Sequence, residues 1–177
     1  MTKDICWLPP LFPFPENIFT YDSYRKYEAD LYAIYRKDFL DSHPIFDEKI
    51  VKVRFLPKID GYEESFIHFT CKNYDHIEDR EPDFRRCERI KWIRKVIENF
   101  MCKQTCPEEC SGIKVWEEPY KNSQRVHFLF EDERYLVVLE KRTEYCLLIT
   151  AYYIDYDHTL RKLMAKFNQY KKAGDAT

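Results

Sequence analysis

Two hydroxyl side chains, Thr150 and Tyr152, sit two residues apart near the end of the run EYCLLITAYY. In an extended chain residues i and i+2 project from one face, so this pair can line a cleft above a sheet and donate hydrogen bonds to a phosphate oxygen. Thr and Tyr are also simply favoured in strands, so the pair needs partners to carry meaning. His68, in the apolar run SFIHFTC, is one. Imidazole exchanges its proton near neutral pH, so it can take a proton from a ribose 2′-hydroxyl or return one to a leaving oxygen. A lone histidine in a strand is more often structural, and His127, His158, His76 and His43 compete for the same role.

The third ingredient is positive charge. Between Arg85 and Lys95 stand Arg85, Arg86, Arg89, Lys91, Arg94 and Lys95 against the single acid Glu88. Such a run is ordinarily a solvated face. Here Arg86 falls inside the apolar stripe formed by Ile90, Ile93, Val96, Ile97 and Phe100, and Arg89 on its edge. An Arg turned toward a sheet must meet an anion, either Glu88, Glu140 or a bound phosphate. The expectation is that Arg85, Lys91, Arg94 and Lys95 offer a local patch for a polyanion such as RNA.

The elements that would position these groups follow from periodicity. Residues 1–19 hold four prolines and read as an aromatic arm, residues 20–172 as one domain, and residues 173–177 as a tail. Tyr24, Tyr27, Leu31, Ile34 and Tyr35 recur at helical spacing from Thr20 to Leu40. The run KIVKVRFL alternates as a strand, and SFIHFTC reads as a second strand joined to it around Asp60-Gly61. A second helix is expected over EDREPDFRRCERIKWIRKVIENF, with Pro82 in its first turn. Four further strands follow, in IKVWEE, QRVHFLFE, RYLVVLEK and EYCLLITAYY. A last helix runs from about Asp155 to Lys172, with an Asp157–Arg161 pair at favourable spacing. The fold class expected is α+β, with helices on a curved antiparallel meander and a C-terminal helix.

Composition limits the alternatives. Net charge is −2, so attraction for a polyanion must come from a local patch. Seven cysteines without an apolar leader imply reduced thiols in a cytoplasm, and no run reaches the roughly 18 apolar residues of a membrane span. Cys102, Cys106 and Cys110 are spaced by four, but Pro107 breaks a helix there; free thiols in a loop are expected, with zinc as the alternative. No glycine-rich phosphate loop, nucleophile elbow or H-E-x-x-H is present among only three glycines, and no cofactor is expected.

The ordered set FIHFT, DREPDFRRCERIKWI, IKVWEE, RYLVVLEKR, YCLLITAYYI and DHTLRKLMAKF resembles a bacterial and phage-associated family of small proteins. That family is similar to the barnase, EndoU, colicin-type and RelE group of metal-independent ribonucleases. The resemblance implies RNA cleavage by attack of the 2′-oxygen on the adjacent phosphorus. His68 would be the proton carrier, Arg86 and Arg89 would neutralise the pentacoordinate phosphate, and Thr150 and Tyr152 would hold its oxygens. Glu88 or His127 would be the second proton carrier. Toxin or phage-defence roles follow from the resemblance, with RNA and an antitoxin or other protein as partners. The alternatives are a non-catalytic RNA- or protein-binding module of the same fold, and an interaction protein bound through the aromatic arm.

Overall fold

A computed structural model describes residues 7–15, 19–72, 81–102 and 110–175. The first long element is α1 (Tyr21–Phe39). Its start is fixed by a capping box, in which Thr20 Oγ1 accepts from the Ser23 amide at 3.1 Å and Ser23 Oγ accepts from the Thr20 amide at 3.0 Å. The helical spacing of Tyr24, Tyr27, Leu31, Tyr35 and Phe39 buries that stripe in the main core.

Two short strands follow, β1 (Ile45–Phe46) and β2 (Lys49–Lys52), then a small hairpin of β3 (Lys58–Ile59) and β4 (Tyr62–Glu63). Asp60 and Gly61 both have positive φ, the geometry that a two-residue hairpin turn demands. The turn is where the sequence places it, but both its arms are two residues long and KIVKVRFL is neither of them, its β2 residues pairing with β1 instead. SFIHFTC is not a strand: α2 (Glu64–Thr70) is helical. Phe66, Ile67, Phe69 and Thr70 are buried while Glu64 and His68 are half-exposed. Polar positions four apart mark one helix face, and the aromatic and β-branched composition disguises it. Phe66 is held by ring contacts to Tyr32, Tyr35 and Tyr62 that exist only in the folded chain.

The expected second helix is also divided. Pro82 does not enter a helix; it lies in β6 (Glu81–Pro82), paired with β5 (Cys71–Lys72). Asp83 then caps α3 (Phe84–Cys87), and a break at Glu88–Arg89 precedes α4 (Ile90–Glu98). Ile90, Ile93, Val96 and Ile97 form the buried stripe read from the sequence.

The meander is as expected: β7 (Ile113–Tyr120), β8 (Ser123–Phe130), β9 (Tyr135–Lys141) and β10 (Cys146–Tyr153) pair antiparallel in succession. With β1 and β2 they form one curled sheet of order β1-β2-β10-β9-β8-β7, giving the expected α+β class. The sheet is mixed rather than purely antiparallel, because β2 runs parallel to β10 through Val51–Cys146 and Lys52–Leu147. One face carries Val126, Phe128, Phe130, Val137, Leu139 and Leu148 into the main core. The other carries Trp116, Leu129, Leu136 and Val138 toward Leu160, Leu163, Met164 and Phe167 of α5 (Asp157–Asp175). Tyr156 and Tyr170, near the two ends of this helix, are exposed. Asp157 pairs with Arg134 at 2.6 Å rather than with Arg161, because Arg134 already anchors the helix entry by donating to the Ile154 carbonyl.

The described part of the arm is seated in the domain. Trp7 packs on Phe130, the Phe12 amide donates to the Glu88 carbonyl at 2.8 Å, and Trp92 Nε1 donates to the Pro9 carbonyl at 2.8 Å. Phe12 stacks on Tyr27 with ring centroids 5.5 Å apart. Removing that half-buried ring by Phe12→Ala should destabilise the fold by about 2 kcal/mol, below the cost for a fully buried Phe. Urea unfolding of the two proteins measures it.

Candidate functional site

The site grows from a discontinuity in β10. Beyond Leu147 the β2 pairing stops, and α2 and α3 pack along β10 instead. Within β10 the register with β9 shifts between Leu148 and Thr150. Strict alternation would place Thr150 on the core face with Leu148; the bulge moves it to the opposite face, where its partner is Val138. Tyr152, opposite Leu136, shares that face.

His68 reaches this face from α2. Its Nε2 lies 3.1 Å from Thr150 Oγ1. Burial, reinforced by the Arg86 and Arg54 cations, pushes the imidazole pKa down from 6.5 to about 4. It is therefore neutral near pH 7, the state of a proton acceptor. Burial likewise raises the Tyr152 phenol, with Arg86 opposing.

Arg86 joins the group as a clamp. Its Nη1 donates to the His68 backbone carbonyl at 2.7 Å, its Nε lies 3.2 Å from Asp83 Oδ2, and its guanidinium sits 5.9 Å from the Tyr152 ring centroid. His68, Arg86, Thr150 and Tyr152 thus come together. Arg89 stands one step away. It is buried, pairs with Glu88, donates to the Arg85 carbonyl, and lies over the Tyr153 and Trp92 rings. Glu88 is therefore engaged as the partner of Arg89.

The remaining cations of the run do not converge on His68. Arg85 pairs with Asp155 and covers Tyr153; Lys91 covers Phe12. Arg94 donates to the Asp38 carbonyl and Ser42 and pairs with Glu98, which also pairs with Lys95. The break at Glu88–Arg89 spreads these side chains over several surfaces, so the charge run makes no single stripe.

His127 belongs to the same face as Thr150. Cross-strand pairing runs Trp116, His127, Val138, Thr150 in one row over β7, β8, β9 and β10, and His68 touches its end. Two strand spacings, about 10 Å, separate the His127 and Thr150 backbones. The His127 ring stacks on Trp116 at 4.8 Å. Burial lowers its pKa, while the Glu118 carboxylate pulls the other way. α5 flanks the row on the β7 side through the Lys166–Glu118 contact at 2.7 Å, and α2 closes it at β10.

The sequence reading does not single out Arg54, Arg125 and Arg142, which line a cleft on the same sheet. No charge run announces them, because they come from the loop after β2, from β8 and from the loop after β9. His76 and Cys106 lie outside the described residues. Cys102 and Cys110 are free thiols, and among the described residues no three His, Cys, Asp or Glu side chains form a metal-binding group. No helix among them is long and apolar enough to cross a membrane.

Comparison with known proteins adds an α+β protein without a matched relative: no family model, curated protein or solved structure matches the chain.

Two outcomes follow from this geometry. In an NMR titration the His68 ring should change charge near pH 4. Because the unfolded chain binds this proton more readily, the stability His68 contributes is complete above pH 6.5 and is lost as the pH falls toward 4. His68→Asn should flatten the acid limb of a stability–pH profile. Arg86→Ala removes a charged donor from a backbone carbonyl and should cost about 2 kcal/mol in chemical unfolding.

Proposed function

We propose that this protein is a metal-independent endoribonuclease acting on cytoplasmic RNA. One observation carries the reading: a neutral imidazole, His68, meets Thr150 in the same cross-strand row as a second imidazole, His127. Val138 lies between Thr150 and His127, and two proton carriers on one sheet face suit a displacement at phosphorus, where one proton must leave and another arrive.

In the proposed step His68 accepts the 2′-hydroxyl proton as the 2′-oxygen bonds to the adjacent phosphorus. The bond from phosphorus to the 5′-oxygen breaks, and His127 donates the proton that the leaving oxygen takes. The products are a 2′,3′-cyclic phosphate and a 5′-hydroxyl. Thr150 holds a phosphate oxygen by its hydroxyl. Arg86 fixes the α2 carbonyl behind His68 and lends its field to the phosphate from behind Tyr152. An anionic phosphate beside either ring raises its pKa, against the burial and the Lys166 and Arg125 cations that hold His127 below its usual value despite the Glu118 carboxylate.

This reading predicts cleavage of total RNA in EDTA, with ends that are cyclic phosphate and 5′-hydroxyl. Activity should peak on the acidic side of neutrality, since His127 must be protonated while His68 is not. His68→Ala and His127→Ala should each lower kcat/KM by at least about 100-fold. Intact RNA at high protein concentration, or cleavage indifferent to both substitutions, would overturn it. The rival reading, a module that binds RNA without cutting it, draws on the burial of His68; it is the outcome if RNA is bound in a salt-sensitive way and recovered whole.

A further inference from the structure

A cleft of about 340 Å³ opens on the sheet around Arg54, Tyr120, Lys121, Arg125, Glu140 and Arg142. Its volume lies in the range of small-ligand sites and matches a single nucleotide better than a protein surface. Four cations face one carboxylate. Glu140 is buried and held by Arg142 Nη2 at 2.6 Å. Arg125 Nε is 3.8 Å from the other Glu140 oxygen, beyond hydrogen-bonding distance, and has no hydrogen-bond partner among the described residues. The Arg54 guanidinium is exposed and makes no ion pair among those residues. One carboxylate therefore leaves most of this charge uncompensated.

The shape is as selective as the charge. The Arg125 guanidinium lies 3.4 Å from the centroid of the Tyr120 ring, so Tyr120 backs it as a flat platform. Guanidinium planes supported in this way accept an unstacked nucleobase on the free side. Asn122 and Ser123 stand at the rim, with donors and acceptors for a base edge. Lys121 sits at the tip of the β7–β8 turn with φ of 52°, a left-handed conformation that costs a non-glycine residue energy.

The cleft adjoins the histidine row. Arg125 and Glu140 are cross-strand partners two residues along β8 and β9 from His127 and Val138, and the Arg54 cation is close enough to depress His68. We infer that this cleft is a nucleotide subsite for single-stranded RNA, in which Arg54, Lys121 and Arg142 hold a phosphate flanking the scissile one and the Arg125–Tyr120 platform carries its base. The inference takes its substrate from the ribonuclease reading, and it moves the main RNA contact from the basic α3–α4 run to residues of three separate loops and strands.

A labelled single-stranded oligomer of 2′-O-methyl RNA, which lacks the attacking hydroxyl, separates binding from cleavage. Fluorescence anisotropy with the full chain should show salt-dependent binding. Arg54→Ala and Arg142→Ala together should weaken it at least tenfold and lower the slope of log K against log salt by about 0.7, the share of the one phosphate they hold. Arg94→Ala with Lys95→Ala should leave both nearly unchanged. Lys121→Gly is the internal control: it should raise the thermal midpoint by releasing the turn and still weaken binding. Site-dependent binding by a parent protein that cuts no RNA supports the subsite and removes only the catalytic reading. Absent binding, or equal losses from the Arg54/Arg142 and Arg94/Lys95 pairs, overturns the subsite even if RNA is cut.

Discussion

The early end of the β2–β10 pairing governs what is built around it. Had the parallel ladder continued past Lys52–Leu147, β10 would have a strand on its outer side and no room for α2 or α3. Because it stops, two short helices pack along β10, and their polar corners arrive beside Thr150 and Tyr152. A seven-residue helix has little stability of its own. What holds α2 is the Phe66 ring cluster on one side and the Arg86 bond to the His68 carbonyl on the other. The imidazole therefore sits on a scaffold fixed by aromatic packing and one cation, which is how a neutral, desolvated histidine is kept in place.

The same arrangement explains why Arg86 and Arg89 differ from surface arginines. Each is largely withdrawn from solvent, and each carries a carboxylate partner from its own segment, Asp83 and Glu88. A charge buried without such a partner is expensive, so the acid is part of what lets the helix break sit against Tyr153 and Trp92. Arg54 and Lys121 stand in the opposite situation, exposed and without a carboxylate partner among the described residues. Charge that is neutralised within the fold positions elements; charge left uncompensated is what a polyanion meets.

Legibility in the sequence tracked how local each cause was. The α1 stripe, the four-strand meander and the closing helix rest on short-range periodicity, and all are readable. α2 is hidden because Phe66, Ile67, Phe69 and Thr70 make a strand-like composition that outweighs the helical spacing of Glu64 and His68 over so short a run. The bulge before Thr150 leaves no compositional trace, since an extra Ile in a strand looks like any other. The convergence of His68 with Thr150 joins residues 82 apart in the chain, and the alignment of His127 in the same row depends on two strand registers that no single segment encodes. The Arg54, Arg125 and Arg142 cleft was hidden for the same reason.

The seating of the arm bears on the order in which this chain can fold during synthesis. Trp7 rests on Phe130, and the Pro9 and Phe12 backbone groups are tied to Trp92 and Glu88. Trp7 thus finds its seat only after Phe130, far along the same chain, has been made. Until then its aromatic rings are exposed, and closing so long a loop is among the slower steps available to a small domain. The price of a core stitched from distant segments is a chain that stays open until its second meander strand approaches completion.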